Sequence, residues 1–192
     1  ISVVNPWGVS QIGGGYGHTC TLKNGIVYCW GANMNGSLGN GSTDYYKQLT
    51  SMQVLDGEIP GGNIGISQLS VGYQNACVLK DGVAYCWGSF PGNGDSVNYW
   101  SPIPIRVADG EIEGGNSGIT QISSGTHHTC VLKNSIAYCW GANGGGSLGN
   151  GTTKDQWSPV RVLAGEIPGG NTGISQISAG SGYTCAIKNG IA

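Results

Sequence analysis

The residues with the clearest chemical potential are the seven cysteines. Six of them fall into three pairs with eight residues between the two members, and these pairs are Cys20 with Cys29, Cys77 with Cys86 and Cys130 with Cys139. Zinc sites usually space their cysteines two to four residues apart, so this pattern favours disulfides over metal ligands, with free buried thiols as the other alternative. Disulfides in successive segments indicate an oxidising compartment. We therefore expect a secreted or cell-surface protein, with the periplasm as an alternative.

Histidine and acidic residues offer other chemistry. Histidine can act as a general base or a metal ligand, and the chain contains His18, His127 and His128. Carboxylates can cleave glycosides in pairs or hold calcium, and they gather in three similar segments at 56–59, 109–112 and 165–167. No Gly-x-Ser-x-Gly, His-Glu-x-x-His or phosphate-binding glycine motif accompanies them. We expect no catalytic residue, no bound metal and no cofactor.

Composition limits the partners. Of 192 residues, 9% are charged and the net charge is −2, which gives little attraction for nucleic acid or for an anionic membrane surface. No apolar run reaches the ~18 residues that span a bilayer. The chain is rich in glycine, with 37 residues, yet 39% of it is hydrophobic, including six Trp and nine Tyr. These values predict a folded protein with no nucleic-acid partner and no membrane insertion.

Internal repeats provide the frame for these residues. A segment of the type Gly-Ile-Ser-Gln returns four times, with its glutamine at Gln11, Gln68, Gln121 and Gln176, in steps of 57, 53 and 55 residues. Three complete units and part of a fourth follow from this spacing. We place them at 1–55, 56–108, 109–163 and 164–192, all as parts of one domain.

Local signals within each unit indicate strands. Two β-prone runs flank Asn24-Gly25, Asp81-Gly82 and Asn189-Gly190, the pairs that two-residue hairpin turns prefer, and Asn134-Ser135 is a weaker version. No helical apolar pattern occurs, so the predicted class is all-β. Such a turn places Cys20 opposite Cys29 at a close, non-hydrogen-bonded position that a disulfide can span. The position that would face Cys185 is residue 194, so Cys185 is unpaired within this sequence.

Further motifs resemble a known family. Trp30-Gly31-Ala32-Asn33 followed by Gly36-Ser37-Leu38-Gly39-Asn40-Gly41 resembles the regulator of chromosome condensation repeat, and 140–151 repeats the pattern. The second unit departs from it, with Asn75 in place of the histidine and Phe90-Pro91-Gly92-Asn93-Gly94 in place of the Leu-Gly segment. The resemblance implies a β-propeller that closes with seven blades, one four-stranded blade per repeat. About 3.5 blades would then be present, as a fragment of a longer ring, as one half of an assembly of two chains, or as an open array.

The same resemblance favours structural roles for several of these residues. It gives His18 and His128 the place of a structural histidine, and Asn75 and Tyr183 near that place in other units argue against a shared catalytic role. Repeated Trp30, Trp87 and Trp140 are better explained by packing between blades than by ligand stacking. The acidic segments are interpreted first as a repeated solvated loop.

Segments that differ between units are the candidates for specific binding. They carry the aromatic residues Tyr45, Tyr46, Tyr99, Trp100 and Trp157. Trp100-Ser101-Pro102 and Trp157-Ser158-Pro159 share a frame, so packing beneath a strand is the alternative for these two tryptophans. Asn35, Asn40 and Asn150 each begin an Asn-Gly-Ser/Thr acceptor sequence for N-linked glycans.

These observations predict a non-enzymatic extracellular propeller that binds a protein, or a glycan, through variable loops on one rim. The alternative is a structural subunit that self-associates through open blade edges into a ring or filament. Guanine-nucleotide exchange, the activity of the founding members of the family, and a propeller lyase receive less weight.

Overall fold

The computed structural model describes residues 8–165 and 169–191, which form β-strands and loops with one short 3₁₀ turn at Met34–Gly36. The first sheet contains β1 (Val9–Gly14), β2 (His18–Lys23), β3 (Ile26–Gly31) and β4 (Gln48–Gln53). The second contains β5 (Gln68–Val71), β6 (Asn75–Lys80), β7 (Val83–Ser89) and β8 (Trp100–Arg106). The third contains β9 (Ile119–Ser124), β10 (His128–Lys133), β11 (Ile136–Gly141) and β12 (Gln156–Arg161). The last pairs β13 (Ile174–Ala179) with β14 (Thr184–Lys188).

Each sheet is an antiparallel meander in which neighbouring strands follow chain order. Every sheet falls within one of the four sequence units. Three four-stranded blades and the inner two strands of a fourth give the β-propeller architecture of about 3.5 blades that the resemblance implies. No helix in the described residues is long and apolar enough to cross a membrane.

The hairpins between second and third strands have the expected two-residue turns. Both turn residues have positive φ, 51° and 75° at Asn24-Gly25 and 51° and 61° at Asn134-Ser135. This geometry sets the register that places paired cysteines directly opposite each other. The structure joins Cys20 to Cys29, Cys77 to Cys86 and Cys130 to Cys139, each with a Cα–Cα distance of 4.1 Å, and leaves Cys185 free and exposed.

The hydrophobic core lies between adjacent blades. One cluster combines Leu22 and Leu38 of the first blade with Val78 and Trp87 of the second, and two further clusters repeat this arrangement along the chain. The indole N–H of Trp87 donates to the Ser37 carbonyl of the preceding blade at 2.9 Å, and that of Trp140 donates to the Phe90 carbonyl at 3.1 Å. Both indoles are fully buried, so they pack between blades. Trp30, in the first blade, is only partly buried.

Glycine follows each of these tryptophans for a steric reason. Gly31 and Gly141 have φ of 105° and 112°, a region that favours glycine. A Cβ on Gly31 would lie 2.3 Å from the Gly17 carbonyl oxygen, and one on Gly141 would lie 2.3 Å from that of His127. The close approach of the third strand to the turn before the second therefore excludes any side chain here.

The repeated glutamines connect the innermost strands of successive blades. The side chain of Gln121 accepts from the Ile177 N–H at 2.9 Å and donates to the Ile177 carbonyl at 3.0 Å. Gln68 accepts from the Ile122 N–H at 2.7 Å, and Gln11 accepts from the Leu69 N–H at 2.6 Å. The glutamine that marks the sequence period is therefore an inter-blade contact.

The loops between blades expose their described acidic residues, as a solvated loop should, but each loop is also anchored by buried neighbours. Ile59 and Asn63 are 4% and 1% exposed, and the Asn63 amide bonds with the Val27 N–H, the Val27 carbonyl and the Val54 carbonyl. Asn116 and Asn171 repeat this set of bonds in the next two loops. The Gly-Gly-Asn sequence therefore anchors each loop, because its amide satisfies buried backbone groups of the preceding blade.

The carboxylates of these loops also serve the fold. The Glu58 N–H donates to the Pro104 carbonyl at 2.9 Å, and its carboxylate accepts from the Arg106 N–H at 2.7 Å. Glu111 makes the equivalent bonds to Pro159 and Arg161, at 2.8 Å each. Each glutamate thus holds the outer edge of the following blade's fourth strand. Glu166, the acidic residue of the third loop, lies outside the described residues.

Candidate functional site

The propeller presents two rims that differ in their loops. Alternate connections of an antiparallel meander lie at the same end of the sheet. We call one end the loop rim, made of the first-to-second-strand turns (15–17, 72–74 and 125–127) and the third-to-fourth-strand loops (32–47, 90–99 and 142–155). The other is the hairpin rim, made of the two-residue turns and the connections between blades (54–67, 107–118, and the described parts 162–165 and 169–173 of the third). All five aromatic residues predicted to bind lie in or beside the third-to-fourth-strand loops.

The three complete repeats differ in length only on the loop rim. Strand pairing supplies equivalent residues, because Gly31 faces Gln48, Gly88 faces Ser101 and Gly141 faces Gln156. Between the members of these pairs the chain advances 17, 13 and 15 positions, respectively. From Gln48 to Gly88, and from Ser101 to Gly141, it advances 40 positions. The unequal repeat steps therefore arise in one loop, the one that carries the candidate aromatic residues.

The short loop of the second blade explains a backbone outlier. Phe90 has φ of 52°, and it is the only bulky apolar residue with positive φ in the part of the chain that the structure describes. Its carbonyl accepts from Trp140, the bond that Ser37 makes with Trp87 in the longer loop of the first blade. Phe90 thus occupies the position of Ser37, although it follows its strand glycine by four fewer residues. Its backbone has the left-handed conformation at the residue that makes this inter-blade bond.

Phe90 belongs to an aromatic cluster that joins the second and third blades. Its ring stacks on Trp157 with centroids 5.2 Å apart and an interplanar angle of 11°. Tyr99 completes the cluster, with its centroid 6.1 Å from that of Phe90 and 6.4 Å from that of Trp157. The Trp157 ring therefore makes contacts within the protein, and only the rest of its surface is available to a partner.

The shared frame of Trp100-Ser101-Pro102 and Trp157-Ser158-Pro159 is not a structural equivalence. Pro102 and Trp157 occupy the same position, because their carbonyls accept from the Gly41 and Gly94 N–H groups at 2.9 and 2.8 Å. The two frames are thus offset by two residues in the strands. Trp100 instead lies opposite Ser89 at the start of β8, with 38% of its surface exposed.

The remaining predicted aromatic residues are open to solvent. Tyr45 and Tyr46 are 72% and 79% exposed in the loop before β4, and Tyr99 is 46% exposed. Their hydroxyls have no described hydrogen bond, so these rings present both apolar surface and a polar group. This combination suits an interface.

Sequence reasoning missed a second aromatic group on the loop rim. Tyr16 stacks on Tyr73 with centroids 4.5 Å apart, and Tyr73 meets His127 edge to face at 5.6 Å. These residues lie on the first-to-second-strand turns of three successive blades. Partial burial, and then the neighbouring Tyr16, raise the pKa of Tyr73. The available signal was the aromatic residue after Gly15 and Gly72 in the repeated turn.

The histidines predicted to be structural lie in the seams between blades. His128 is 2% exposed, and its Nε2 lies 2.9 Å from the Thr184 hydroxyl of the next blade. Asn75 takes the equivalent place and donates to Thr129 at 3.2 Å. His18 is 3% exposed and faces the seam where Ala76 replaces the threonine, and neither of its ring nitrogens has a hydrogen-bond partner among the described residues.

Burial determines the protonation of these histidines. It lowers the pKa of His18 from 6.5 to about 4, and the backbone of Asn75 opposes that shift only in part. Burial also lowers the pKa of His128, and the neighbouring His127 adds to the effect. Both rings are neutral at physiological pH. Within residues 8–165 and 169–191, no three His, Cys, Asp or Glu side chains lie together in a group that could hold a metal ion.

The sequence profile of the regulator of chromosome condensation (RCC1) repeat matches residues 136–187, from β11 through most of β14. The blade order, the inter-blade tryptophans and the seam histidines agree with this match. This chain contains an RCC1 repeat at 136–187.

Known proteins with similar repeats are considerably longer. The ultraviolet-B receptor UVR8 of Arabidopsis thaliana is 29% identical over 187 residues, which cover 95% of this chain and 40% of the receptor. The E3 ubiquitin-protein ligase HERC2 of Homo sapiens is 28% identical over 170 residues, which cover 87% of this chain and 3% of the ligase. The crystal structure of Prp20p from Saccharomyces cerevisiae superposes with a TM-score of 0.74 at 20% identity, over 93% of this chain and 43% of that one. This RCC1-repeat chain thus spans less than half of each.

Proposed function

We propose that this RCC1-repeat chain is a non-enzymatic extracellular module that binds a protein partner through the loop rim. The observation that carries the proposal is the confinement of all length differences among the complete repeats to the third-to-fourth-strand loops. A repeated scaffold can vary freely only where its own packing does not depend on the sequence. Variation restricted to one rim leaves that rim free for a role outside the fold, which supports the proposal.

The surface chemistry of the loop rim supports a protein partner. Tyr16, Tyr46 and Tyr99 expose about half or more of their surface among glycine, serine and asparagine. Tyrosine and tryptophan supply large contact area at low entropic cost, and small polar neighbours supply adaptable hydrogen bonds. A glycan is the alternative occupant, since it could stack on the same rings.

Two observations support the extracellular and non-enzymatic parts of the proposal. The three disulfides suit an oxidising compartment. His128 and the loop glutamates Glu58 and Glu111, which would be early candidates for acid–base chemistry, are engaged in contacts between blades. The receptor and ligase named above are much longer proteins, so their activities are not assigned to this chain.

The test uses a binding-defective variant and a matched control. Tyr45→Ala/Tyr46→Ala removes two exposed rings from the loop rim, whereas Glu113→Ala removes an exposed side chain from the hairpin rim. We expect chemical crosslinking in the extracellular fraction of the source organism to recover a partner with the wild type and Glu113→Ala, and at least tenfold less with the double variant. Equal recovery by all three would contradict binding through the loop rim.

Localisation has a separate test. Peptide mapping of the natural protein under non-reducing conditions should find the links Cys20–Cys29, Cys77–Cys86 and Cys130–Cys139. Free thiols at these positions in the natural protein would remove the extracellular assignment.

Self-association is the second candidate, and one observation favours it. The outer face of the first blade has a cleft of about 500 Å³ lined by Tyr28, Trp30 and Leu49, and Leu49 is 88% exposed. A second copy that covers this face would bury it. Light scattering should then show a dimer or larger species that Leu49→Lys converts to monomer, and a monomeric wild type at high concentration would exclude this candidate.

A further inference from the structure

Three Asn-x-Ser/Thr sequences lie in the long loops of the loop rim, at Asn35, Asn40 and Asn150. We propose that Asn150 is the site at which this chain accepts an N-linked glycan, with a lipid-pyrophosphate-linked oligosaccharide as the donor substrate. The proposal rests on the extracellular part of the proposed function, because such acceptor sequences are used on secreted proteins.

The side chain of Asn150 is oriented by its carbonyl end. Its Oδ1 accepts from the Asn143 amide at 3.0 Å, from the Thr152 N–H at 3.2 Å and from the Thr152 hydroxyl at 2.9 Å. Its Nδ2 donates no hydrogen bond among the described residues, and this nitrogen is not buried. The nitrogen that would carry the glycan therefore faces solvent, beside exposed Gly151 and Thr152.

Asn35 has the opposite arrangement. Its Nδ2 donates to the Gln74 side chain at 3.1 Å and to the Ser89 hydroxyl at 3.0 Å, so both amide protons are used in contacts with the second blade. Its acceptor serine, Ser37, is fully buried. A glycan on Asn35 would break the contact between the first two blades, and the folded chain cannot accommodate it.

Asn40 is the structural counterpart of Asn150 but is less open. Its Oδ1 accepts from Asn33, as that of Asn150 does from Asn143. Its Nδ2, however, lies 3.5 Å from the Met52 sulfur of β4. A glycan on Asn40 would have to displace this contact, which has no described equivalent at Asn150.

The modification is a group transfer without change of oxidation state. A bond forms between Nδ2 of Asn150 and the anomeric carbon of the first sugar, while the bond between that carbon and the pyrophosphate oxygen breaks. The lipid pyrophosphate leaves with the electron pair, and one amide proton is lost to a base. The second proton stays on Nδ2, and no hydrogen bond to an acceptor among the described residues has to break for the transfer.

The experiment secretes the 192-residue chain from eukaryotic cells, whose secretory pathway supplies the donor, and measures intact mass before and after peptide-N-glycosidase treatment. We expect one glycan on the wild type, on Asn35→Gln, on Asn40→Gln and on Thr152→Ser, which keeps the acceptor hydroxyl. Asn150→Gln and Thr152→Ala should carry none. Because glycosidase release converts the modified asparagine to aspartate, peptide mapping of the wild type locates the site even where a variant is not secreted.

A secreted wild type without a glycan, or a glycan on Asn35 or Asn40 of the secreted chain, would overturn the assignment to Asn150. Neither result bears on partner binding, which the Tyr45→Ala/Tyr46→Ala comparison tests independently.

Discussion

The hairpin rim and the loop rim use the same repeats in opposite ways. On the hairpin rim Asn63, Asn116 and Asn171 are spaced by the repeat and bond the equivalent backbone groups of three successive blades. On the loop rim, the position whose carbonyl accepts from the inter-blade tryptophan is Ser37 in the first blade and Phe90 in the second. The loops that carry these two residues differ in length. Repetition therefore marks side chains whose own polar groups the fold uses, whereas at Ser37 and Phe90 the shared inter-blade bond uses only the backbone carbonyl, so the side chain can change.

The seam histidines show where repetition begins to fail. His128 meets Thr184 and Asn75 meets Thr129, but His18 faces Ala76, and its ring nitrogens have no hydrogen-bond partner in the described part of the chain. These residues begin the second strands, next to the loop rim. The boundary between the repeated scaffold and the divergent surface thus passes through the seams, and stability measurements can locate it.

The largest effect is expected from Asn116→Ala on the hairpin rim. The Asn116 amide satisfies the Ala84 N–H and the carbonyls of Ala84 and Val107, all at 2.8–3.0 Å in a buried site. Its loss leaves three buried groups unpaired, at about 1–3 kcal/mol each, so we expect the free energy of unfolding to fall by about 4 kcal/mol. Urea denaturation measures it. The control on the loop rim is Asn98→Ala, an exposed amide bonded to Asp95, for which less than about 0.5 kcal/mol is expected.

A loss below about 1 kcal/mol for Asn116→Ala would show that water or loop movement satisfies these groups. The hairpin rim would then be no more dependent on sequence than the loop rim.

The next effect concerns acid sensitivity at the His18 seam. The folded-state pKa of His18 is about 4 and its ordinary value is 6.5, so the unfolded chain binds one more proton between these values. The free energy of unfolding should fall as pH decreases through this window, by up to about 3.5 kcal/mol at about 1.4 kcal/mol per unit, with no further contribution below pH 4. The depressed pKa of His128 acts in the same direction.

The double variant His18→Asn/Ala76→Thr sharpens this test, because it copies the natural Asn75–Thr129 pair into the first seam. Urea denaturation between pH 7 and 4 should show a smaller pH dependence than in the wild type. An unchanged slope would mean that His18 is not the group responsible.

Sequence alone predicted the elements that obey short-range rules. Asn-Gly and Asp-Gly turns require positive φ at both positions, so they fixed the hairpin register and with it the cysteine pairs. The role of Gly-Gly-Asn was not predictable, because Asn63 acts on Val27, 36 residues earlier and across a blade. The Tyr16–Tyr73 stack was missed for the same reason, since 57 residues separate its rings.

A smaller effect is expected at Asn134-Ser135, which is the one hairpin turn without glycine among those of the three complete repeats. Ser135 has φ of 61° in the position of Gly25 and Gly82. A left-handed backbone costs a residue with a Cβ about 1–2 kcal/mol, partly offset by the greater freedom of glycine in the unfolded chain, so Ser135→Gly should stabilise by about 1 kcal/mol. The midpoint of urea unfolding measures this gain. Gly82→Ser, where a Cβ would lie 3.0 Å from the Gly118 nitrogen, should have the opposite sign, and equal signs would contradict the turn-strain explanation.

The smallest effect on stability is expected where the effect on binding is largest. Tyr45 and Tyr46 are 72% and 79% exposed, so replacing both with alanine removes little buried surface and should change the free energy of unfolding by less than about 0.5 kcal/mol. The same variant is expected to lose the partner, and this separation of stability from binding distinguishes an interface residue from a scaffold residue. Urea denaturation beside the crosslinking assay measures both quantities on one protein. A loss above about 2 kcal/mol would show that these rings pack within the fold, and the loop rim would then be a second scaffold surface, like the hairpin rim.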